Sequence, residues 1–469
     1  MQQLSGQDAS FIYSERPHAP THITSIGIYD QSTAPDGQVT FKGILAELEP
    51  RLHLARVFRQ KMVRVPNDLD HPWWVEDAGF DLEYHVRHIA LPKPGDWRQF
   101  CIQVARLHAR PLDLSRPLWE IYIVEGLDAI EGVPAGSFAV VQKTHHAAID
   151  GKSGVEMSTA MHTQTPALEV PDPPTTPWKP DRDPSPAELL GRAALNSWTT
   201  PGRGIRLATK LVPGAARAIR VQRRQREASP AGNAPVTRFN GPVSPHRVID
   251  ARFFNFADLK PMRSLVQGAT VNDVALSVLG GALRQYLLDA GDLPETSLRA
   301  MTPVSVRAEN EKADLGNQVS AMIVSLGTDV ADPVGRLRAV HNSTTASKEI
   351  TEAVGARNLT DLSQLAPGAL IGLGTRLAGQ FSRRGMASAV NTVVTNVPGP
   401  REPLYFAGAE LVRTFGAGPV VDGMGLINII TSYTDQFVLS FTADREIMPD
   451  PAHYADCIDG AFDALAAAT

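Results

Sequence analysis

Two adjacent histidines, His145 and His146, are the residues of this sequence best suited to chemistry, and Asp150 and Gly151 follow them closely. The pair lies between an apolar run typical of a buried strand and a helical pattern. Because neighbouring side chains at a strand end point to opposite sides, we expect one histidine to face a site and the other to support it. An imidazole with a reference pKa of about 6.5 is largely neutral at cell pH, so it can accept a proton from an alcohol that attacks a thioester. Such chemistry needs no serine or cysteine nucleophile.

The residues after the histidines are predicted to shape the loop. Asp150 is placed to brace it through a charge partner, and Gly151 permits a tight turn. Two other interpretations of the histidines stay open. As metal ligands they would lack both the usual zinc spacing and a third ligand cluster, and as core residues they would be structural only. The fixed letters of His-His-x-x-x-Asp-Gly arise by chance in roughly one of a thousand chains of this length, which favours a functional motif.

The composition is that of an ordinary globular protein: 43% of the 469 residues are hydrophobic, 20% are charged, and the formal net charge is -5. This excludes a disordered or fibrous chain and disfavours nucleic acid as a partner. Cys101 and Cys457 are far apart in sequence, which predicts a reducing compartment such as the cytoplasm. The N-terminus has no secretory-signal pattern, and no apolar run has the roughly 18 residues of a spanning helix. Any membrane contact is therefore expected to be peripheral.

Composition along the chain predicts two domains and a connecting segment. Residues 1–165 and 246–469 alternate apolar runs with helical patterns, as α/β domains do. Eight prolines crowd residues 165–186, which excludes a helix interior there and starts a linker that we place at 166–245. Within that linker, residues 203–226 carry eight basic residues and no acidic one. They are interpreted either as an amphipathic surface for anionic lipid headgroups or as a solvated helix between the domains.

Hydrophobic periodicity predicts individual elements. They are a strand over 137–142, a helix over 152–161, a helix over 271–290, strands over 299–306, 319–326, 389–395 and 437–443, and a helix from about 451. A glycine-containing apolar helix over 365–377 is interpreted either as a packed helix or as the wall of an acyl channel.

The histidine motif resembles the active-site signature of CoA-dependent acyltransferases, a superfamily that includes chloramphenicol acetyltransferase, carnitine acyltransferases and the condensation domains of peptide synthetases. Other segments narrow the resemblance to the bacterial wax ester synthase and diacylglycerol acyltransferase family. These segments are Leu4-Ser5 to Asp8, Thr21-His22-Ile23, Pro117-Leu118-Trp119, Asn272-Asp273, Pro303-Val304-Ser305-Val306-Arg307 and Asn396-Val397-Pro398-Gly399-Pro400. They span nearly the whole chain in the order of the family, so the match is specific as a set.

The resemblance implies roles for individual residues. The second histidine of the motif is the general base in that superfamily, which points to His146, while the aspartate forms a structural ion pair with an arginine. Arg307 is the candidate partner of Asp150; otherwise it is an ordinary surface arginine. Thr395 is the candidate donor to the oxyanion, at a position where the family more often has serine.

Three further residues are expected to support the site. Asn272 and Asn396 orient the acceptor or hold the His146 loop in this interpretation, although an asparagine before Val-Pro-Gly-Pro is equally a turn former. Trp119 is interpreted as core or as the wall of a substrate channel, because indole offers packing and a single donor. No metal and no cofactor are expected, and acyl-CoA serves as a co-substrate.

The resemblance also implies a fold and a reaction. The fold is α/β, with two chloramphenicol-acetyltransferase-like domains, mixed sheets flanked by helices and an active-site tunnel at the domain interface. The reaction is direct transfer of a long acyl group from acyl-CoA to diacylglycerol or a long-chain alcohol, giving triacylglycerol or wax ester. The expected location is the cytoplasm, in peripheral contact with the inner face of the membrane or with lipid droplets.

Two alternatives for the function stay open. One is a condensation-type or short-chain acyltransferase that acts on a carrier-bound or soluble acceptor. The other is a catalytically silent lipid-binding protein that keeps the same fold.

Overall fold

The structure is a computed structural model that describes residues 1–149, 151–196, 234–305, 319–354 and 389–469. Within these ranges the chain forms three β-sheets with helices packed against them. The strands are β1 Gln2–Gln3, β2 His22–Asp30, β3 Gln60–Val63, β4 Trp73–Glu76, β5 Val86–Ala90, β6 Trp119–Glu125, β7 Phe138–His145, β8 Arg247–Asn255, β9 Arg299–Ser305, β10 Val319–Ser325, β11 Thr392–Pro398, β12 Tyr405–Phe406, β13 Ala409–Ala417, β14 Leu426–Tyr433 and β15 Gln436–Asp444. The helices are α1 Gly6–Ser14, α2 Phe41–Leu48, α3 Leu82–His85, α4 Trp97–His108, α5 Gly151–Met161, α6 186–196, α7 Leu259–Ser264, α8 Val271–Asp289, α9 Pro333–Val354 and α10 Pro451–Ala466.

Local capping signals determine where several helices begin. At the start of α8, the Thr270 hydroxyl accepts from the backbone N–H of Asp273, whose carboxylate accepts from the backbone N–H of Thr270. Asp96 and Gln99 form the same reciprocal capping box at the start of α4. Helix α10 begins at Pro451, where a missing N–H costs no helical hydrogen bond. These short-range signals are readable in the sequence, and the helices predicted near 271 and 451 form there.

The other predicted elements also agree with the structure to within a few residues. The helix predicted over 152–161 is α5, and the strands predicted in the second half are β9, β10, β11 and β15. The strand predicted over 137–142 is β7, which extends to His145. The strand predicted from 389 begins only at Thr392. This extension of β7 matters because it places the first histidine of the motif inside the sheet.

The sheet that carries the histidine motif has the strand order β12-β13-β2-β7-β6-β5. Strand β7 is antiparallel to β2, with His22 opposite His145, and antiparallel to β6, with Trp119 opposite Thr144. The far edge of β2 pairs with β13, which comes from the second half of the chain. The predicted division into residues 1–165 and 246–469 follows chain order, whereas in space β12 and β13 complete the first sheet.

The second large sheet has the strand order β10-β9-β11-β14-β15-β8. Strand β11 runs parallel to β9 and β14, and the other pairs are antiparallel. The first large sheet is also mixed, because β5 and β6 are parallel. One hydrophobic core is built on α8, α10 and the second large sheet. A separate core is built mainly on α1, α2 and β6 of the first half.

A third hydrophobic cluster joins the two halves. It contains Phe100 of α4, Ala251 of β8 and Phe415 of β13, all buried. At its rim the Trp97 indole N–H donates to a carboxylate oxygen of Asp250 at 2.8 Å. Burial of one aromatic side chain such as Phe415 contributes roughly 1.5–3 kcal/mol to the free energy of folding. This cluster therefore stabilises the packing of one sheet against the other.

None of the helices in the described ranges combines the length and the apolar character needed to cross a bilayer. The basic segment 203–226 and the apolar segment 365–377, both singled out in the sequence, lie outside the described residues.

Candidate active site

The histidine motif lies where β7 ends and α5 begins. A single turn of 3-10 helix, His146–Ala148, joins the two elements. The position of β7 is set by its neighbours: the backbone N–H of His145 donates to the carbonyl of Leu118 at 2.9 Å, and that of His146 donates to the carbonyl of Thr21 at 3.0 Å. The segment Pro-Leu-Trp, which leads into β6, therefore has a structural reason to accompany the histidines, since its Leu118 carbonyl accepts the hydrogen bond from His145.

The His145 side chain is fully buried and hydrogen bonded at both nitrogens. Its Nδ1 accepts from the backbone N–H of Ala147 at 3.0 Å, so Nε2 carries the proton. Nε2 lies 3.1 Å from the Thr21 hydroxyl oxygen and 3.5 Å from a carboxylate oxygen of Glu15. The hydroxyl of Thr21 in turn donates to the carbonyl of Phe11 at 3.0 Å. His145 therefore connects β7 to the segment that contains α1.

The His146 side chain lies in different surroundings. It is half-buried, and its ring stacks on the ring of Phe11 with 3.9 Å between centroids and 15° between planes. Its Nδ1 is buried and has no hydrogen-bond partner among the described residues. The ring is thus held mainly by packing and by its backbone.

Burial lowers the pKa of His146 to about 4, with a further lowering from the neighbouring His145; the carbonyl of its own residue acts in the opposite direction. Removing an imidazolium from water disfavours the charged form, so the neutral ring dominates at pH 7. A neutral imidazole has a lone pair available for a proton, which is the state that a general base requires.

Two of the predicted site residues, Asp150 and Arg307, lie outside the described residues. Their ion pair stays a prediction. Gly151 is the first residue of α5.

The two asparagines singled out in the sequence come together in the second half of the chain. Asn396, near the end of β11, donates through Nδ2 to Oδ1 of Asn272 in the first turn of α8, at 3.3 Å. Asn396 is exposed and Asn272 is half-buried. The next residue, Asp273, is buried and accepts from the Thr344 hydroxyl at 2.6 Å. Asp273 thus anchors the start of α8, and the amide pair lies beside that anchor.

Thr395 lies on the opposite face of β11 from Asn396. Its partner on β14 is Ile429, and residues paired in this way share a sheet face. That face packs toward the first sheet, because a side chain at Gly416 of β13 would lie 3.5 Å from Cγ2 of Ile429. Thr431 follows on the same face, and its hydroxyl oxygen is buried with no hydrogen-bond partner among the described residues. Two hydroxyl groups therefore face the junction between the sheets.

Trp119 lies in the core of the first half, where it is 1% exposed. Its indole N–H donates to the carbonyl of Phe58 at 3.0 Å, and its ring stacks on His85 with 4.5 Å between centroids. These contacts give the Trp119 ring a stacking partner and its indole N–H an acceptor. A role for Trp119 in a substrate channel stays a prediction.

Three side chains that could bind a metal come together elsewhere in the described ranges, at Asp289, His453 and Cys457, with their ligand atoms within 4.8 Å of one another. His453 Nε2 already lies 3.0 Å from a carboxylate oxygen of Asp289, as in an ordinary hydrogen bond. This cluster involves neither histidine of the motif.

Two residues near His146 were given no role by the sequence analysis. Thr21 was noted only as part of a family segment, and Phe11 was not noted at all. Nothing local in the sequence indicates that Phe11 would stack on a histidine 135 positions away. Thr431 was not singled out either, because a threonine in an apolar strand is common.

The arrangement of two mixed six-stranded sheets is that of the condensation-domain fold. The starter condensation domain of rhizomide synthetase RzmA shares it, with a TM-score of 0.54, 14% sequence identity, and coverage of 99% of this chain and 95% of that one. At this identity the likeness establishes the fold alone. The predicted fold class, α/β with two chloramphenicol-acetyltransferase-like domains built on mixed sheets, is confirmed.

Closer comparisons establish the family. The wax ester synthase/diacylglycerol acyltransferase catalytic domain matches residues 4–275, and the C-terminal domain of the same family matches residues 315–466. The wax ester synthase/diacylglycerol acyltransferase from Marinobacter aquaeolei VT8 superposes with a TM-score of 0.70 at 25% identity, covering 99% of this chain and 98% of that one. A provisionally named diacylglycerol O-acyltransferase of Mycobacterium tuberculosis (strain ATCC 25618 / H37Rv) is 35% identical over 95% of this chain and 92% of its own. The chain belongs to the wax ester synthase/diacylglycerol acyltransferase family.

Proposed function

We propose that this protein is an acyl-CoA-dependent O-acyltransferase that transfers a long acyl group to diacylglycerol, to a long-chain alcohol, or to both. His146 is the general base. Support comes chiefly from this residue, a neutral imidazole at the end of β7 within the segment that matches the family's catalytic domain. The names of the relatives, which specify diacylglycerol or wax ester chemistry, are consistent with these acceptors.

The reaction proceeds in one ternary complex. His146 takes the proton of the acceptor hydroxyl while its oxygen forms a bond to the thioester carbonyl carbon, which makes a tetrahedral oxyanion. Collapse of that oxyanion breaks the carbon–sulfur bond, and the imidazolium returns the proton to the CoA thiolate. Holding both substrates in one site contributes much of the rate, because it replaces a bimolecular encounter. Acyl-CoA with no acceptor should leave no acyl group on the protein.

The supporting roles are proposed as follows. Thr395 donates its hydroxyl to the oxyanion, supported by its place on the face of β11 that packs toward the first sheet. The pair of Asn272 and Asn396 orients the acceptor or the loops around it. Asp150 and Arg307 brace the histidine loop, so Asp150→Asn should lower both the rate and the melting temperature.

The substrates meet in a passage between the two domains, at 1–165 and 246–469, that are joined through 166–245. The protein acts at the cytoplasmic face of the membrane or at lipid droplets, which it contacts peripherally. Leu195 of α6 is 70% exposed and precedes the basic segment 203–226 in the sequence, which supports such contact. Flotation with anionic liposomes should decrease when the arginines of 203–226 are neutralised, and unchanged flotation would contradict this placement.

The central test uses purified protein with palmitoyl-CoA and either 1,2-diolein or hexadecanol, following both CoA release and lipid product. His146→Ala should abolish transfer. His453→Ala is the matched control, since that side chain is 41% exposed on α10 and should leave the rate unchanged. A mutant at position 146 as active as wild type would remove the base assignment.

The same assay separates the two rivals. Transfer only to a soluble or carrier-bound acceptor would identify a condensation-type or short-chain acyltransferase. Binding of lipid without transfer to any acceptor would identify a catalytically silent member of the fold.

A further inference from the structure

Thr21 links three elements around the histidine motif. It is 3% exposed and precedes β2 directly. Its carbonyl accepts from the backbone N–H of His146 at 3.0 Å. Its hydroxyl accepts from Nε2 of His145 at 3.1 Å and donates to the carbonyl of Phe11 at 3.0 Å. One buried residue therefore ties the proposed base, its neighbouring histidine and helix α1 together.

Phe11 holds the His146 ring without using its nitrogens. The two rings are nearly parallel, with 15° between planes and 3.9 Å between centroids. Rotation of the imidazole about its bond to Cβ would break this stack, so the plane of the ring is restricted. A carboxylate or amide partner would occupy a ring nitrogen, whereas a phenyl face does not.

The stack matters because another common restraint is missing among the described residues. Histidine bases are usually oriented by a hydrogen bond at the nitrogen that does not take the proton. Nδ1 of His146 has no such partner in these ranges. Within the described part of the chain, orientation comes from the ring stack and from the backbone N–H bond to Thr21.

We infer that Thr21 and Phe11 are positioning residues for the reaction, and this inference rests on the proposed role of His146 as base. Thr21, Phe11 and His145 together are called the Thr21 clamp. This clamp fixes the plane and the position of the His146 imidazole. Neither residue needs to contact substrate. Their effect is to keep the base nitrogen within hydrogen-bond reach of the acceptor hydroxyl, about 2.6–3.2 Å.

The clamp is tested most sharply by Thr21→Val, which keeps the shape of the side chain and removes its hydroxyl. The Nε2–H of His145 and the carbonyl of Phe11 both lose a partner. A displacement of about 1 Å at a catalytic group can cost about 100-fold in rate, so kcat should fall by roughly 10- to 100-fold. KM should stay within about twofold, because the change acts on the base and not on substrate contacts. Thr21→Ser keeps the hydroxyl and should recover most of kcat.

Thr24→Val is the matched control. Thr24 lies in β2, three residues after Thr21, and is 2% exposed. Its hydroxyl lies 2.7 Å from Nδ1 of His108, a histidine outside the motif. This variant also leaves a buried histidine without a hydroxyl partner, so it should lose a similar amount of stability. Its kcat should stay near that of wild type. Equal losses of kcat in Thr21→Val and Thr24→Val, at equal melting temperatures, would overturn the inference.

Phe11→Leu tests the stack itself, since it keeps an apolar side chain and removes the ring. A phenyl ring 3.9 Å above an imidazole shifts the imidazole proton resonances upfield. In histidine-labelled protein, with His146→Ala used for assignment, this upfield shift should be lost in Phe11→Leu, reduced in Thr21→Val and kept in Thr24→Val. Activity of Phe11→Leu should fall in kcat, as for Thr21→Val.

The NMR measurement keeps the two hypotheses separable. Wild-type protein that transfers no acyl group to any acceptor would refute the proposed function, and the clamp would then be judged from the spectra. Resonances of His146 that are the same in wild type, Phe11→Leu and Thr21→Val would refute the clamp even if the enzyme is active.

Discussion

The acid side of the pH profile is the most direct test of the environment of His146. Burial lowers the pKa of this imidazole to about 4. A general base must be neutral in the free enzyme, so kcat/KM falls on the acid side at the pKa of the base. A lowered pKa moves this fall to lower pH, and activity should persist where an ordinary histidine would already be protonated.

The size of the effect follows from the fraction of neutral imidazole. For a base with the reference pKa of about 6.5, roughly 9% is neutral at pH 5.5, and kcat/KM would drop about tenfold relative to pH 7.5. For a pKa of about 4, roughly 97% is neutral at pH 5.5, and the drop would be about 3%. The two cases differ by nearly an order of magnitude at a single pH.

The assay is CoA release at low palmitoyl-CoA concentration across pH 4.5 to 8, with hexadecanol as a non-ionising acceptor. Enzyme held at each pH and returned to pH 7.5 before assay gives the control for irreversible inactivation. Among the described residues, the ionisable groups nearest the ring are those of His145, the preceding residue, and Glu15, which follows α1 and lies 3.5 Å from His145. An acid limb centred near pH 6.5 in stable enzyme would refute the assigned environment, or the assignment of His146 as the base.

Four further predictions concern stability and the supporting residues. Burial lowers the pKa of His108 to about 3, so the unfolded chain binds more protons than the folded one between that value and about 6.5; the free energy of unfolding should therefore decrease as the pH is lowered from about 6.5 toward about 3, and less steeply in His108→Gln. Thr395→Ala should lower kcat by about 100- to 1,000-fold if its hydroxyl binds the oxyanion, while Thr395→Ser keeps most of the rate; a small loss in both would exclude that role. Phe415→Ala should cost about 3–5 kcal/mol in urea unfolding, because it empties the cluster that joins the two halves. Asn272→Ala and Asn396→Ala should be non-additive in kcat/KM by about 0.5–1.5 kcal/mol, and additive losses would show that their hydrogen bond is irrelevant to catalysis.

The pairing of β13 with β2 places strands from both halves of the chain in one sheet. Strand β2 lies between β13 and β7, and β7 ends at His145. The second half of the chain therefore contributes a strand that is hydrogen bonded to the neighbour of the strand that carries the histidine motif.

Local sequence signals predicted the elements well. The helix α8 was predicted from hydrophobic periodicity, and the strands β9, β10 and β15 because their apolar runs have strand length. The end of β7 was placed too early, because Lys143 and Thr144 read as polar. Both are buried in the sheet, where the Lys143 ammonium donates to the carbonyl of Arg110 at 2.7 Å. A buried lysine whose charge is satisfied by distant groups has no signature in local hydrophobicity.

The contents of the site were only partly predictable. Asn272 and Asn396 were singled out separately, yet their contact joins residues 124 positions apart. Thr21 and Phe11 were not assigned roles, because the hydrogen bond from His145 to Thr21 also spans 124 positions. Periodicity reports which face of an element is apolar, and it carries no information about which distant element covers that face.

The sequence by itself determined the α/β class, the places of several helices and strands, and the family motif with His146 in it, because apolar periodicity, strand length and residue spacing act over a few positions. Only the tertiary structure decided that a strand from the second half completes the sheet of the first, that Phe11 covers the His146 ring, and that burial lowers the pKa of that ring. These properties arise from contacts between segments far apart in the chain, and they exist only once the packed fold has excluded water from between them.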